Sequence, residues 1–204
     1  LTPPPSEPTA EAQDAARTFN AREIDNRLVA FINPSSTVTE QFRSLRTRLF
    51  KRGGDQGHQV IAVASTERHE GKSVTALNLC AVLADARRLR VLAIDADLRH
   101  GALAAMLRMP QKPGLADVLR GTTSYADAVH QTQWSNLSVM PAGDVSGRTA
   151  SELLTSDKLA AVMQHARRAF DYTIVDTPSA LEGSDVGMVG QFCNGAIFVV
   201  RLHE

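Results

Sequence analysis

The chain has 204 residues, and its 22 Lys plus Arg balance 22 Asp plus Glu. That length suits one α/β domain with a sizeable core, and zero net charge gives no electrostatic reason to expect a nucleic-acid partner. Hydrophobic content is 43%, no apolar run reaches the roughly 18 residues of a membrane span, and no signal peptide is expected. Cys80 and Cys193 lie in apolar stretches. They read as buried thiols in a reducing compartment rather than as a disulfide. The chain starts at Leu1 rather than Met, so a longer parent protein is expected.

Residues 1–33 are rich in Pro, Ala and charge, with Pro3, Pro4, Pro5 and Pro8 at the front. This stretch reads as a linker or disordered segment, with 25–32 as a possible ordered lead-in to a domain over 34–204. Thr37 and Glu40 have capping-box spacing, which predicts a helix over 38–51 with Thr37 as its N-cap. Gly53 and Gly54 end it. Strands are then expected at 60–64, 91–94, 137–140, 172–175 and 196–200. Helices are expected at 73–86, 101–107, 114–120 and 124–131, with one or two over 150–170. The strands are continuous apolar runs, as in a parallel sheet covered on both faces. Their alternation with helices predicts an α/β fold, a doubly wound, mostly parallel sheet flanked by helices.

Gly71-Lys72-Ser73 falls between the first such strand and its helix. Strand, loop, Gly-Lys-Ser, helix is the setting of a phosphate-binding loop. Backbone N–H groups and the helix N-terminus face the phosphate, Lys supplies mobile positive charge, and the Ser hydroxyl ligates Mg²⁺. The usual first Gly of the pattern is replaced by Thr66. Two other strands run into acid, at Asp95 with Asp97 and at Asp176. Parallel strands end on one edge, where ligands bind. Lys72, Ser73, Asp95, Asp97 and Asp176 are therefore expected to converge. One strand ending in Asp is common; two beside a Gly-Lys-Ser turn point to a nucleotide and its Mg²⁺.

Four segments carry a resemblance: EGKSVTALNLCAVLA (70–84), VLAIDADLR (91–99), FDYTIVDTPSA (170–180) and EQFRSLRTRL (40–49). They resemble the Walker A, Walker A′, Walker B and E-x-x-R-x-x-R elements of bacterial tyrosine kinases (BY-kinases), a family within the MinD/ParA-like P-loop ATPases. PGLADVLRG (113–121), NLSVMPAG (136–143) and SELL (151–154) add to it. The resemblance implies a cytoplasmic protein-tyrosine kinase domain at the inner face of the bacterial membrane, acting in capsule and exopolysaccharide export. It implies ATP and Mg²⁺ as cofactors, ring-like homo-oligomers, and a membrane-embedded chain-length or export protein as partner, with no nucleic acid. By the same resemblance, Thr66, Glu67, Arg68, His69, Glu70, Gly71, Lys72, Ser73 and Val74 bind the nucleotide. Ser73, Asp95 and Asp176 hold the metal. Lys72, Asp95 and Asp97 are catalytic, Asp97 as candidate acceptor of a tyrosyl proton. Arg99 is left as either a phosphate contact or an ion-pair partner.

Glu40, Arg43 and Arg46 span ~120° of helix surface at ~100° per residue. On their own they read as the solvated side of an amphipathic helix, with Phe42, Leu45 and Leu49 inward. The resemblance makes them a subunit interface. Arg43, Arg46, Arg48, Lys51 and Arg52 form a basic patch that would also suit an anionic membrane surface.

The chain departs from the family at Thr66 to Glu70, where His69 replaces a Gly; a positive φ there would strain it. The extra signature Lys of related ATPases falls at Glu67. A further helix and strand are expected beyond Glu204. Tyr125 and Tyr172 are the only tyrosines. Tyr172 reads as core and Tyr125 as the one plausible exposed position, so any acceptor tyrosine cluster is expected elsewhere. Three readings follow: a tyrosine kinase, a catalytically weak ATP-binding regulator of polysaccharide export, and a MinD/ParA-type positioning ATPase.

Overall fold

The computed structural model describes residues 24–53, 57–86, 89–145 and 149–202. In chain order the elements are α1 (Val29–Ile32), α2 (Thr37–Gly53), β1 (Gln59–Ser65), α3 (Lys72–Asp85), β2 (Val91–Asp95) and α4 (Leu103–Met106). Then come α5 (Leu115–Arg120), α6 (Tyr125–Ala128), β3 (His130–Gln131), β4 (Leu137–Met140), α7 (Ala150–Leu154) and α8 (Asp157–Ala169). Last are β5 (Tyr172–Asp176), a 3-10 turn (Ala180–Glu182), α9 (Asp185–Gly190) and β6 (Gly195–Val199).

The strands form one sheet in the order β3-β4-β2-β5-β1-β6. All pairs are parallel except β3 with β4. Alternate residues of β2 enter opposite cores. Val91 and Ala93 join a cluster with Leu77, Leu83 and Leu103; Leu92 and Ile94 join one with Leu115, Leu153 and Val162. The two-sided burial explains why these strands read as unbroken apolar runs. The expected doubly wound α/β architecture is present.

Three details differ from the sequence reading, and a fourth, the segment 150–170, takes one of the two forms left open. Ser36, not Thr37, caps α2: its Oγ accepts the Thr39 N–H at 3.1 Å, while the Glu40 side chain pairs with Arg43. The helix expected to reach Gln131 stops at Ala128, because His130 and Gln131 pair as an edge strand with Val139 and Ser138. The segment 150–170 is two helices, broken at Thr155 and Ser156. The α9 helix was not anticipated in a stretch containing Gly183, Gly187 and Gly190; buried Asp185 and Val189 hold it through tertiary packing.

The boundary placed at 33/34 falls too late. Ile24, Leu28, Ala30 and Phe31 are buried in the first core. Asn78 of α3 pins this segment: its Oδ1 accepts the Ala30 N–H at 2.8 Å, and its Nδ2 donates to the carbonyls of Arg27 (3.0 Å) and Val74 (2.9 Å). The Pro-rich front, 1–23, lies outside the described residues, as do Gly54 and the chain end at 203–204.

Candidate active site

β1 delivers the chain to the carboxyl edge of the sheet at Ser65, and α3 departs at Lys72. The turn between them needs left-handed backbone twice. Gly71 takes φ 101 as the N-cap of α3, a conformation free of strain only for Gly. His69 takes φ 62, at a cost on the order of 1 kcal/mol. Glu70 braces the turn: its Oε2 accepts the Glu67 N–H at 2.8 Å, and this bond holds the carboxyl below its ordinary range. Lys72 is buried, and its Nζ donates to Ser65 Oγ at 2.9 Å and the Glu67 carbonyl at 3.3 Å. An arriving phosphate would replace these neutral acceptors with a charge-assisted one.

A cleft of about 460 Å³ opens over the loop. Arg68, His69, Gly71, Lys72, Ser73 and Val74 line one side, with Asp97 and His100 opposite. Asp25, Arg27, Ala102, Ala105, Met106 and Arg108 extend it, none of them singled out from sequence. Thr66, Glu67 and Glu70 do not line the cleft. Glu67 and Glu70 shape the loop from within, and the Thr66 carbonyl accepts the Leu181 N–H at 3.2 Å.

Asp95 and Asp176 are cross-strand neighbours in register and fully buried. Asp95 Oδ2 accepts the Leu103 N–H at 3.0 Å. Asp95 Oδ1 and both Asp176 carboxylate oxygens have no partner among the described residues. Burial pushes both carboxyls upward. The Asp176 charge raises Asp95 further, whereas Ser73 and Lys72 pull Asp176 partly back. Ser73 does this from beside Asp176 without closing a hydrogen bond of normal geometry. Three orphaned oxygens buried beside a Ser hydroxyl and an ammonium form a donor set that fits a hard cation such as Mg²⁺. The five residues expected to converge do so.

Asp97 lies at the cleft wall, its Oδ1 accepting the His100 N–H at 3.0 Å. Arg99 turns away. It pairs with buried Asp185 at 2.9 Å and donates to Ser151 Oγ at 3.1 Å, so of its two open roles the geometry takes the ion pair. Glu40, Arg43 and Arg46 are on α2, which packs on α3, and none lines the cleft. Arg43 pairs with Glu40 and lies 3.7 Å from Asp85. Arg46 turns inward, donating to the Val82 carbonyl of α3 with its guanidinium 5.9 Å from the Phe50 ring centre.

Tyr172 is core, as expected. Tyr125 corrects the reading: its hydroxyl is buried and its ring stacks on His165 at 5.1 Å. Burial also pushes the Tyr125 hydroxyl up to about 12. Both cysteines are free thiols, Cys80 fully buried. Among the described residues no helix is long and apolar enough to cross a membrane.

A family model described as an AAA domain matches residues 58–187, well over half the chain. With the strand, loop and strand-end acids above, this defines a P-loop ATPase. ExoP of Rhizobium meliloti, a succinoglycan biosynthesis transport protein, is 34% identical over 170 residues, covering 82% of this chain and 22% of ExoP. Tyrosine-protein kinase YwqD of Bacillus subtilis is 31% identical over 186 residues, covering 91% of this chain and 78% of YwqD. The kinase domain of the Escherichia coli tyrosine kinase ETK superposes with a TM-score of 0.83 at 28% identity, covering 95% of this chain and 75% of that one. The chain belongs to the bacterial tyrosine kinase family, within the MinD/ParA-like P-loop ATPases. It spans about a quarter of the length of the first relatives it matches.

Proposed function

We propose that this chain is the catalytic domain of an ATP-dependent protein-tyrosine kinase that regulates polysaccharide chain length and export. The observation that carries this is the set of orphaned, buried oxygens on Asp95 and Asp176 beside Ser73 and Lys72. Such a buried set costs stability unless a cation uses it. Ser73, Asp95 and Asp176 would hold Mg²⁺, which when bound neutralises charge on the β- and γ-phosphates. The loop from Thr66 to Val74 cradles those phosphates, and Lys72 exchanges its loop acceptors for them. A tyrosyl oxygen attacks the γ-phosphorus, the bond to the β–γ bridging oxygen breaks, and ADP leaves. Asp97, on the opposite cleft wall, accepts the tyrosyl proton. Most of the rate then comes from position and charge rather than from the strength of Asp97 as a base.

Tyr125 and Tyr172 are both withdrawn from solvent at the hydroxyl or ring, so the acceptor would be a tyrosine outside these 204 residues, on the full-length protein or a partner. Glu40 and Arg43 on α2 would join copies into a ring. The partner would be a membrane-embedded export protein, which sets the domain at the cytoplasmic face of the bacterial membrane. ExoP, by name a transport protein of polysaccharide biosynthesis, supports that setting.

The expected result is phosphotyrosine on the full-length protein incubated with Mg-ATP, reduced about 100-fold or more by Lys72→Ala. A full-length protein that binds Mg-ATP but gains no phosphotyrosine sinks the kinase reading. It would favour an ATP-binding regulator, the reading that the strained His69 supports.

A further inference from the structure

Across the cleft from the phosphate loop, three side chains meet that the transfer chemistry does not explain together. Asp97 and His100 come from the segment after β2, and Glu182 ends the 3-10 turn after β5. His100 Nδ1 lies 3.6 Å from Asp97 Oδ1 and 3.9 Å from Glu182 Oε1. One ligand atom from each of the three falls within 4.8 Å of the others, and among the described residues this is the one such group. A tetrahedral ion with bonds of about 2.0–2.1 Å needs ligand atoms roughly 3.4 Å apart. Closure therefore takes small side-chain rotations, not backbone movement.

The surroundings prepare these groups as ligands. The Ser179 hydroxyl donates to Glu182 Oε2, which orients the carboxylate and leaves Oε1 facing His100. That bond also holds the Glu182 carboxyl below its ordinary range. The His100 backbone N–H fixes Asp97 Oδ1. Arg68 Nε lies 3.5 Å from Glu182 Oε1 on a side chain that is 45% exposed, so a cation already balances this edge and is free to swing out.

We propose that Asp97, His100 and Glu182 form a site for a borderline transition-metal ion of the Zn²⁺ or Co²⁺ type, separate from the Mg²⁺ set at Ser73, Asp95 and Asp176. One imidazole with two carboxylates suits such ions, whereas Mg²⁺ favours oxygen ligands and retains its waters. Three protein ligands leave a fourth position for water. The consequence rests on the kinase reading: an ion on Asp97 removes the carboxylate that takes the tyrosyl proton, so occupancy of this site inhibits transfer. No bond in the protein forms or breaks beyond coordination, and Arg68 leaves Glu182 as the ion arrives.

The test titrates the nucleotide-free chain with Co²⁺ alone and follows its visible absorption. One equivalent is expected to give the intense bands of a four- or five-coordinate ion. His100→Ala and Glu182→Gln should each weaken binding about tenfold or more, and Ser73→Ala should leave it unchanged. No such band, or a His100→Ala titration matching the unaltered protein, overturns the site. On the full-length protein in excess Mg-ATP, Zn²⁺ should suppress phosphotyrosine formation, with His100→Ala resistant. Equal suppression of both overturns the inhibitory role. If the protein lacks kinase activity altogether, the Co²⁺ titration still decides the site, so the two failures stay distinct.

Discussion

Asp95 and Asp176 face each other in register with three of their four oxygens unpartnered. Their raised pKa values mean that the folded, nucleotide-free protein holds protons the unfolded chain has released. Stability contributed by a carboxyl with a raised folded pKa is present below its ordinary value near 4 and is lost as pH rises toward the folded value. Asp176→Asn removes this loss. Thermal melts should show the variant more stable than the unaltered chain by about 1–2 kcal/mol at pH 8, the gap closing toward pH 4. Mg-ADP should stabilise the unaltered chain but not the variant. A pH-independent gap would show that the charge is not the cost. The residues of this set were legible because a strand ending in Asp and a Gly-Lys-Ser turn are local patterns. His69 was legible for a related reason: a side chain standing at a Gly-like turn position predicted strain, and φ 62 is observed. His100 and Glu182 were not legible as a pair, since 82 residues separate them and only the sheet order joins their loops. The one available signal was a His directly after the VLAIDADLR segment.

At the scale of elements, long periodic segments were readable and their ends were not. β1, β2, β4 and β5 announce themselves as apolar runs because both their faces are covered. The cap of α2 slipped by one residue because Ser36 and Thr37 are adjacent hydroxyl residues, and it is the Ser36 Oγ that takes the Thr39 N–H while Thr37 opens the helix. The lead-in at 25–32 was expected to be ordered, but how it is held was not legible. Its anchor is one polar side chain, Asn78, in the buried middle of α3, where a helical pattern gives no hint of a partner some 50 positions upstream. Asn78 satisfies the Ala30 N–H and the Arg27 carbonyl together, so truncation leaves both unpaired in the core. Asn78→Ala should cost about 2–4 kcal/mol. Hydrogen exchange should show faster opening at Ala30 and its neighbours, while the amides of β2 and β5 keep their relative protection. Uniform loss across the sheet would mean that Asn78 serves the whole core rather than this attachment. Because Arg27 and Asp25 extend the cleft, loosening this segment also reshapes its far end.

At the scale of the whole molecule, the strand order places β5 between β1 and β2, which gathers three loops distant in sequence onto one edge. The candidate site lies on that edge, and the proposed subunit contact concerns the other end of α3, where α2 packs. There the three residues grouped as one interface divide into two kinds. Arg46 serves its own chain: it donates to Val82 near the C-terminal end of α3, where the last carbonyls lack helical partners, and it covers Phe50. Glu40 and Arg43 form a surface pair, and such a pair stabilises a monomer by at most about 1 kcal/mol. Arg43→Ala should therefore leave the melting temperature within a degree or two while abolishing any assembly seen by sedimentation with Mg-ADP. Arg46→Ala should lower stability by about 1–3 kcal/mol, whether or not the protein assembles. If Arg43→Ala assembles like the unaltered protein, the Glu40 and Arg43 face of α2 is an ordinary solvated surface and the subunit contact lies elsewhere. If instead Arg46→Ala melts normally yet fails to assemble, then the bond to Val82 is dispensable and Arg46 must be released toward a neighbouring copy when the ring forms.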